Sequence, residues 1–533
     1  MAEHPKIHTD RAFPLEIFDL IIKQFASKCA YPYQEMQSCA LVCKDFAFLA
    51  RPYLYKKVEF GPYGLYNRNR LRLAEAFSSA PHLGSSVREV CYTMDDMDDE
   101  TSLLGNVAQA SSSLHEFLTD VKDVRITHSE VEGHDAVCAG EECTRLCHVL
   151  LKGLASSSPF SNVTDLAVQF IGMNIKVILS MPSLQNLTSE YCHWWIQSPW
   201  DDPGYDDEEL KDLTYPRHLL LQHLILEQDR GFPLNSLFHF PELESIEFNI
   251  DYERPTRSFS RWLRKNPDIQ CFQNPVVSFE SLTTIEITNA KALLVLCRNA
   301  RKKNAHAFTA LRTFKFRSEQ TAEDDSPEAL YSVITHMPVL RTFELTINYT
   351  NEWLGDDLEV QPGLCLNGCT ATLETFRIRF YRPHEMGDIS FDAFRLRNLV
   401  DGLVSVSGSN QIKDLEIELA DTSEKTLDDW KMLTLPIWRQ LDELIAGSST
   451  FPSLKKLTLF SQKLVKFSFY ESEETFGMTE EEKNWQVDFW PEAFPSLHTA
   501  GYRVEHTAKY SRNEYSFIRL PKETAVGTVL EHE

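Results

Sequence analysis

Apolar residues recur along most of this chain in the spacing L-x-x-L-x-L, which is typical of short, repeated buried strands. Seven segments follow the pattern strongly, and their apolar residues are Leu243/Ile246/Phe248, Leu282/Ile285/Ile287, Leu311/Phe314/Phe316, Leu340/Phe343/Leu345, Leu373/Phe376/Ile378, Ile412/Leu415/Ile417 and Leu454/Leu457/Leu459. Weaker copies are Val87/Val90/Tyr92, Val121/Val124/Ile126, Val163/Leu166/Val168, Leu184/Leu187, Leu221/Leu224/Leu226 and a degenerate Leu497/Ala500/Tyr502. Each copy predicts one strand.

Segments with helical spacing of apolar residues lie between several of these strands. They predict helices over 290–299, 327–336, 391–404 and 427–446. A repeated strand and helix predicts parallel strands with helices on one side. Because one unit cannot bury its apolar side alone, we expect the units to stack into a solenoid. The expected fold class is α/β, with the strands on the concave side and the helices on the convex side.

This organisation resembles a leucine-rich-repeat horseshoe. The resemblance is incomplete, because successive strands lie 21 to 43 residues apart, an irregular spacing for that family. The Asn that is usual at the ninth position occurs only as Asn348, with Cys192 as the accepted substitute in one other repeat. We therefore expect a distorted array, with long insertions at Ser189–Pro216 and Thr350–Gly368.

The N-terminal segment 13–60 is unusually rich in large apolar side chains for its length. Its first helix is predicted to begin near Pro14, since a proline suits the first helical turn. Arg51-Pro52 is predicted to end a third helix, because the residue before a proline is pushed out of the α region. About 50 residues cannot bury much of a core alone, so a partner is expected to cover this unit.

Three landmarks of this segment resemble an F-box, the module that docks a substrate receptor onto the Skp-type adaptor of a cullin–RING ubiquitin ligase. They are Pro14-Leu15-x-Ile17, the pair Ile21-Ile22, and Leu41-Val42-Cys43-Lys44 at the core of the third helix. Two positions depart from the family: Phe13 stands where Leu is usual, and Phe46 where Trp is usual. The alternative is an ordinary helical hairpin.

An F-box followed by leucine-rich repeats is familiar among fungal-type substrate receptors. The resemblance implies a noncatalytic receptor that holds a protein substrate on the repeats, while the adaptor brings a cullin. It assigns adaptor binding to Pro14, Leu15, Ile17, Ile21, Leu41, Val42, Phe46 and Leu49. The alternatives are a repeat scaffold that recruits no ligase, or an enzyme on an irregular α/β array, for which there is no motif.

The predicted domains are an F-box over 1–60, a linker with degenerate first repeats over 61–160, an irregular repeat array over 161–505 and a C-terminal cap or tail over 506–533. The net charge of −25 disfavours nonspecific binding to nucleic acid or to an anionic membrane. No signal peptide or apolar run long enough to span a membrane is visible. The 12 scattered cysteines are then expected to be free thiols, which favours the cytoplasm, the nucleus or both.

A charge pattern accompanies the strong repeats. Their fifth residues, which are expected to point out of the sheet, are Glu247, Glu286, Lys315, Glu344, Arg377, Glu416 and Thr458. From Glu286 to Glu416 the sign alternates, so we expect a lateral ladder of ion pairs that fixes strand register. Arg317 and Arg379, at seventh positions, lack obvious partners; they either bind an acidic or phosphorylated substrate segment or join the self-neutralised ladder.

Other candidate chemistry is weak. Cys138, Cys143, Cys147 and His148 could bind zinc, but their spacing fits an amphipathic helix better than a metal site. Trp194, Trp195 and Trp200 are either an exposed patch or, more simply, packing residues. Phosphate-loop, dinucleotide, zinc-protease and nucleophile-elbow motifs are missing from the sequence. We therefore predict no cofactor, no metal and no catalytic residue.

Overall fold

The computed structural model describes residues 15–28, 32–60, 73, 75–94, 117–128, 162–195, 213, 215–251, 279–288, 308–320, 334, 337–349, 366, 371–381, 390–408, 410–421, 427–447, 449–463, 489–509 and 512–520. The chain divides into two compact units. Unit 1 comprises Met1–Leu221, Glu227–Pro233 and Thr256–Asn274, and unit 2 comprises Gln222–Leu226, Leu234–Pro255 and Pro275–Glu533. The predicted domain boundaries stay predictions.

Unit 1 begins with three helices, α1 (Leu15–Lys28), α2 (Pro32–Ala40) and α3 (Lys44–Leu54). They pack around Ile22, Met36 and Ala50, which are buried. Partly buried residues complete this small core, namely Cys39, Ala40, Phe46, Leu49, Tyr53 and Leu54.

Two details of these helices differ from the sequence-based expectation. Leu41–Cys43 were predicted at the core of the third helix, but they form the turn before it, and α3 begins after Cys43, whose backbone is extended with φ −163°. The expectation that Arg51-Pro52 ends α3 is also wrong, because the helix continues to Leu54. Pro52 removes only one hydrogen bond from the last turn, and the packing of Tyr53 and Leu54 against the core offsets that loss.

Unit 1 continues with short parallel strands. Its elements are β1 (Lys57–Phe60), α4 (Pro81–Gly84), β2 (Glu89–Met94), β3 (Asp123–His128), β4 (Asp165–Gln169), β5 (Gly172–Asn174), α5 (Ile175–Leu179), β6 (Asn186–Glu190) and β7 (His193–Trp195). Strands β1, β2, β3, β4 and β6 pair in parallel in that order, and β5 pairs with β7. The insertion expected from Ser189 therefore begins later than predicted, since Ser189 and Glu190 end β6 and His193–Trp195 form β7.

Strand β8 (His223–Arg230) is divided between the units. Unit 2 then contains a 3-10 helix (Leu234–His239), β9 (Ser245–Asp251), β10 (Thr284–Ile287), β11 (Thr313–Gln320), β12 (Thr342–Tyr349), β13 (Thr375–Tyr381), α6 (Ser390–Ser405), β14 (Asp414–Asp421), α7 (Leu427–Ala446), β15 (Lys456–Lys463), α8 (Pro495–Thr499), β16 (Tyr502–Lys509) and β17 (Arg512–Arg519). Strands β9 to β15 pair in parallel in chain order.

The strand predictions are therefore confirmed for all seven strong repeats and for the five weaker ones before them. The α/β class with mostly parallel strands is confirmed as well. Helices predicted at 391–404 and 427–446 are observed as α6 and α7. Of the other two, 290–299 lies outside the described residues, and only Ile334 of 327–336 is described, in a helical conformation.

The degenerate last repeat is the exception. Leu497 lies in α8, and the strand that begins at Tyr502 runs antiparallel to β17. Strand β17 is antiparallel to β15 as well, so it lies between β15 and β16. The described part of the predicted C-terminal cap or tail is thus a strand that covers the last parallel one.

The interior of unit 2 is built from repeated positions of successive strands. Phe314, Phe343 and Phe376 occupy the same position of β11, β12 and β13. Their rings stack with centroids 5.6 Å apart on both sides of Phe343, at interplanar angles of 3° and 22°. The regular spacing of parallel strands places identical side chains in contact, so this column of rings is a direct result of the repeat.

Candidate docking surfaces

The helices of unit 1 leave several large apolar side chains in solvent. They are Ile17, Leu20, Ile21 and Phe25 of α1, Leu41 and Val42 of the turn, and Phe48 of α3. We call these residues the exposed apolar set. Leu41 is 87% exposed and Val42 is 68% exposed, which is unusual for two adjacent aliphatic residues in a folded unit.

Helix α1 shows why the sequence produces this exposure. Ile22 is buried in the three-helix core, and the Phe18 ring lies edge-on to the Phe46 ring at 4.9 Å. Ile17, Leu20 and Ile21 are exposed. The apolar stripe of α1 is therefore wider than the part of the helix that packs in the three-helix core, while Asp19 and Lys23 form an ion pair on its polar side.

The predicted adaptor-binding residues separate into three groups. Ile17, Ile21, Leu41 and Val42 belong to the exposed apolar set, whereas Phe46 and Leu49 pack against the three-helix core. Leu15 is the first residue of α1, and Pro14 lies outside the described residues. Their role in adaptor binding stays a prediction.

The ladder of fifth residues in unit 2 has the predicted register. Glu247, Glu286, Lys315, Glu344, Arg377, Glu416 and Thr458 lie opposite one another on consecutive strands. Lys315 contacts Glu286 at 2.9 Å, and Arg377 contacts Glu344 at 2.6 Å and Glu416 at 2.7 Å. The hydrogen bond to Glu286 raises the pKa of Lys315. The predicted alternating register is confirmed, and ion pairs form at three of its four steps from Glu286 to Glu416; the described contacts include none between Lys315 and Glu344.

Reversing the charge of Arg377 should weaken the sheet. An Arg377→Glu variant places three glutamates side by side at neighbouring strands, and we expect the free energy of unfolding to fall by about 1 kcal/mol at low salt. The loss should shrink in 1 M salt, because the Debye length is then only about 3 Å. Urea unfolding measures both values. Arg377→Lys is the matched control, and an equal loss in that variant would contradict the electrostatic explanation.

The two seventh-position arginines differ in their surroundings. Arg379 contacts Glu418 at 3.0 Å, and the Glu418 side chain is only 6% exposed. Arg379 therefore joins the self-neutralised ladder. Arg317 is exposed and lies opposite Thr346, and no described carboxylate forms an ion pair with it. Of the two predicted substrate-binding residues, only Arg317 presents a charge that is not already paired within the described part of unit 2.

Sequence reasoning missed a buried carboxylate in unit 1. Asp229 is fully buried and accepts hydrogen bonds from the Cys192 backbone N–H at 2.6 Å and from Trp194 Nε1 at 2.9 Å. Burial raises its pKa from an ordinary 3.8 to about 7, against the opposing effect of those hydrogen bonds.

Trp194 and Trp195 are both buried, so they are packing residues and not an exposed patch. Trp200 lies outside the described residues.

Asp229 lies beside a line of left-handed residues on neighbouring strands. Phe170, Tyr191 and Gln228 have φ values of 56°, 53° and 53°. The Phe170 N–H donates to Glu190 O, and the Tyr191 N–H donates to Glu227 O, so the three bends are aligned. The Phe170 and Tyr191 rings stack at 4.9 Å. These three strained residues form a row of bends across neighbouring strands. Asp229 holds the backbone directly after Tyr191 by accepting the Cys192 N–H.

An Asp229→Asn variant tests that structural role. The amide presents its NH2 group to one of two N–H donors, so we expect a loss of about 1–3 kcal/mol in the free energy of unfolding. Because the folded pKa is raised to about 7, the folded state binds a proton that the unfolded state releases. The stability contributed by Asp229 therefore falls as the pH rises from about 4 to about 7.

The cost of Asp229→Asn should consequently be larger at pH 5 than at pH 8, and urea unfolding at both values measures it. Glu227→Gln is the matched control, since Glu227 is exposed and bonds to Tyr191 only through its backbone oxygen. A cost that grows with pH would show that the protonated form is not the favoured one in the folded state.

Metal and membrane sites were sought among the described residues only. In those parts of the chain, no three His, Cys, Asp or Glu side chains gather as metal ligands would. Cys138, Cys143, Cys147 and His148 lie outside them. Similarly, the helices of the described ranges do not include one with the length and apolar character needed to cross a bilayer.

Comparison with known proteins does not assign a family. No protein-family model matches the chain, and no curated protein is significantly similar to it.

Proposed function

We propose that this chain is the substrate-recognition subunit of a Skp–cullin–F-box ubiquitin ligase. The observation that supports the proposal most strongly is the exposed apolar set of the N-terminal helices, in which Leu41 is 87% exposed. The sequence of the N-terminal segment 13–60 resembles an F-box. Burying such side chains on a partner is favourable by about 25 cal/mol for each Å² of apolar surface removed from water.

The parallel strands of both units support the second part of the proposal, an irregular leucine-rich-repeat array that binds a protein substrate. In each unit, two consecutive N–H groups at the start of a strand donate to one carbonyl oxygen just before the neighbouring strand. For example, the N–H groups of Arg312 and Thr313 both donate to Thr283 O. This repeated geometry fixes the outward side chains at regular spacing. A rigid surface of that kind is suited to recognising an extended partner.

The proposed mechanism needs no chemistry from this chain. The adaptor would bring a cullin and a ubiquitin-conjugating enzyme, and the receptor would raise the effective concentration of the substrate next to that enzyme. The residues proposed to bind the adaptor are Pro14, Leu15, Ile17, Ile21, Leu41, Val42, Phe46 and Leu49. Arg317 and Arg379 are proposed to contribute to substrate binding, and the described ion pair of Arg379 makes Arg317 the stronger of the two. The proposed location is the cytoplasm, the nucleus or both.

The second candidate is an interaction scaffold that recruits no ligase. It is favoured by the well-neutralised fifth-position ladder, which presents few unpaired charges for a substrate. In that case the three helices would cap the array without binding an adaptor.

Co-expression with a Skp-type adaptor distinguishes the two. A receptor should elute with the adaptor as a stoichiometric complex in size-exclusion chromatography and should then bind a cullin. Affinity purification with mass spectrometry should recover both from cells. A chain that folds and elutes alone at micromolar concentration would overturn the ligase assignment and leave the scaffold.

A further inference from the structure

Unit 2 carries a second column of outward residues, directly before the strands. Five of these residues occupy the second position of the strong repeats from the third onward, and the sixth, Arg519, ends the antiparallel strand β17. From Arg341 on, the N–H of each donates to the backbone oxygen of the one before it at 2.7–2.8 Å. Across β11 to β15 and then β17, the column reads Arg312, Arg341, Glu374, Lys413, Lys455 and Arg519. We call its five cationic members the basic edge.

The basic edge is only partly neutralised within the described residues. The Arg519 guanidinium donates to Pro452 O and Leu454 O and lies over the Tyr502 ring. Glu374 contacts Lys413 at 2.9 Å, and Arg341 and Lys455 lower the pKa of the same carboxylate, which is therefore shared. No described carboxylate forms an ion pair with Arg312. Neither Asp nor Glu occurs in the turns that precede the five parallel strands, at 308–311, 337–340, 371–373, 410–412 and 449–454.

The neighbouring fifth-position column shows that this imbalance is not a general property of the repeats. On the same strands, Lys315, Glu344, Arg377 and Glu416 alternate in sign; Arg377 pairs with both glutamates, and Lys315 pairs with Glu286. Like charges on adjacent strands destabilise a sheet, so the basic edge has an energetic cost that the ladder avoids. Glu374 is the one carboxylate of the column, and a local rule broken with so little compensation indicates a functional surface. The chain as a whole has a net charge of −25, which makes a concentration of positive charge more notable.

We propose that the basic edge binds an acidic polypeptide segment of a partner protein. The six residues of the column span about 24 Å, since neighbouring strands lie about 4.8 Å apart. An extended peptide of about seven residues covers that length. Arg312 and Arg341 offer guanidinium groups to adjacent carboxylates, and Lys455 adds a third exposed cation. The basic edge shares no residue with the exposed apolar set, so the inference does not depend on ligase recruitment.

The test measures the anisotropy of fluorescein-labelled decaglutamate titrated with the full chain at low salt. We expect saturable binding that weakens steeply with salt. Arg312→Glu/Arg341→Glu/Lys455→Glu should weaken it about tenfold or more, and the milder Arg312→Gln/Arg341→Gln/Lys455→Gln should weaken it by a smaller factor. Circular dichroism checks the fold, and the glutamine variant decides the outcome if the charge-reversed protein does not fold.

A matched control changes the net charge equally at exposed arginines elsewhere, as Arg217→Glu/Arg397→Glu/Arg439→Glu. It should bind decaglutamate within about twofold of the original chain. An equal loss in this control would overturn the proposal, as would the lack of saturable binding by the original chain. Duplex DNA that binds as tightly as decaglutamate would overturn the choice of an acidic polypeptide.

Discussion

Replacing Leu41 and Val42 by Asp should abolish recovery of adaptor and cullin with the chain while leaving the fold intact. The two side chains are 87% and 68% exposed, so their replacement removes little internal packing. We expect the free energy of unfolding to change by less than about 0.5 kcal/mol. In the complex, by contrast, two charges would enter a desolvated apolar contact, which costs several kcal/mol each if they are unpaired. Affinity purification of the double variant, combined with urea unfolding, measures both effects.

The control for this variant is Val404→Asp/Met432→Asp, which places the same two charges on exposed apolar positions of α6 and α7. It should retain adaptor and cullin. Loss of both from the control would mean that added negative charge, and not the N-terminal surface, is responsible. If the Leu41/Val42 variant unfolds with no adaptor in the assay, the helices serve the stability of this chain, as the scaffold alternative requires.

Truncating Phe343 to Ala should cause the largest loss of stability. Its ring is fully buried and stacks between Phe314 and Phe376 with both centroids at 5.6 Å. The substitution removes apolar transfer energy, leaves a cavity in the middle of the column and breaks both ring contacts. We expect the free energy of unfolding to fall by about 3–5 kcal/mol, measured by urea unfolding of the full chain.

Thr346→Ala is the matched control, because Thr346 lies three residues further along the same strand and is only half-buried. Its effect should be within about 0.5 kcal/mol. A loss below about 1 kcal/mol for Phe343→Ala would mean that neighbouring repeats collapse into the space, and that the column is not rigidly packed.

The strands were predictable because their burial depends on a short local rule. Residues at the first, fourth and sixth positions of each repeat are buried, as in Leu340, Phe343 and Leu345. The fifth position then points outward by strand geometry alone, so the register of the ladder followed from the sequence. The last repeat failed because Leu497 and Tyr502 satisfy the same apolar spacing on a helix and on an antiparallel strand. The pattern contains no information on strand direction.

The helical unit was predictable in outline but not in its turns. Leu41 and Val42 continue the apolar pattern without a glycine or proline to mark the break. Their exposure depends on how α2 and α3 pack, which is a tertiary property. The resemblance grouped Phe46 and Leu49 with Leu41 and Val42, whereas the structure places the first two against the internal core. Core-packed and exposed side chains of this unit have the same apolar character, so the sequence alone does not separate them.

The Asp229 site was missed because non-glycine residues adopt the left-handed bends next to it. Gln228 has a φ of 53° without being the Gly or Asn that would announce such a conformation. One usable signal was Gly231, at a φ of 71°, where a Cβ atom would lie 2.6 Å from the Trp194 carbonyl oxygen. A buried acid two residues before a required glycine could have indicated a fixed bend.

Strand β17 also gives the array a definite end. The last strand of a parallel sheet has one unpaired edge. Its free backbone N–H and C=O groups can pair with any extended chain. Here the reversed strand occupies those groups on β15 by pairing along Lys456 to Gln462. Its own other side pairs with β16, where Arg503, Glu505 and Lys509 are charged. Pairing with β17 thus closes this side of β15 to open-ended, fibre-like association.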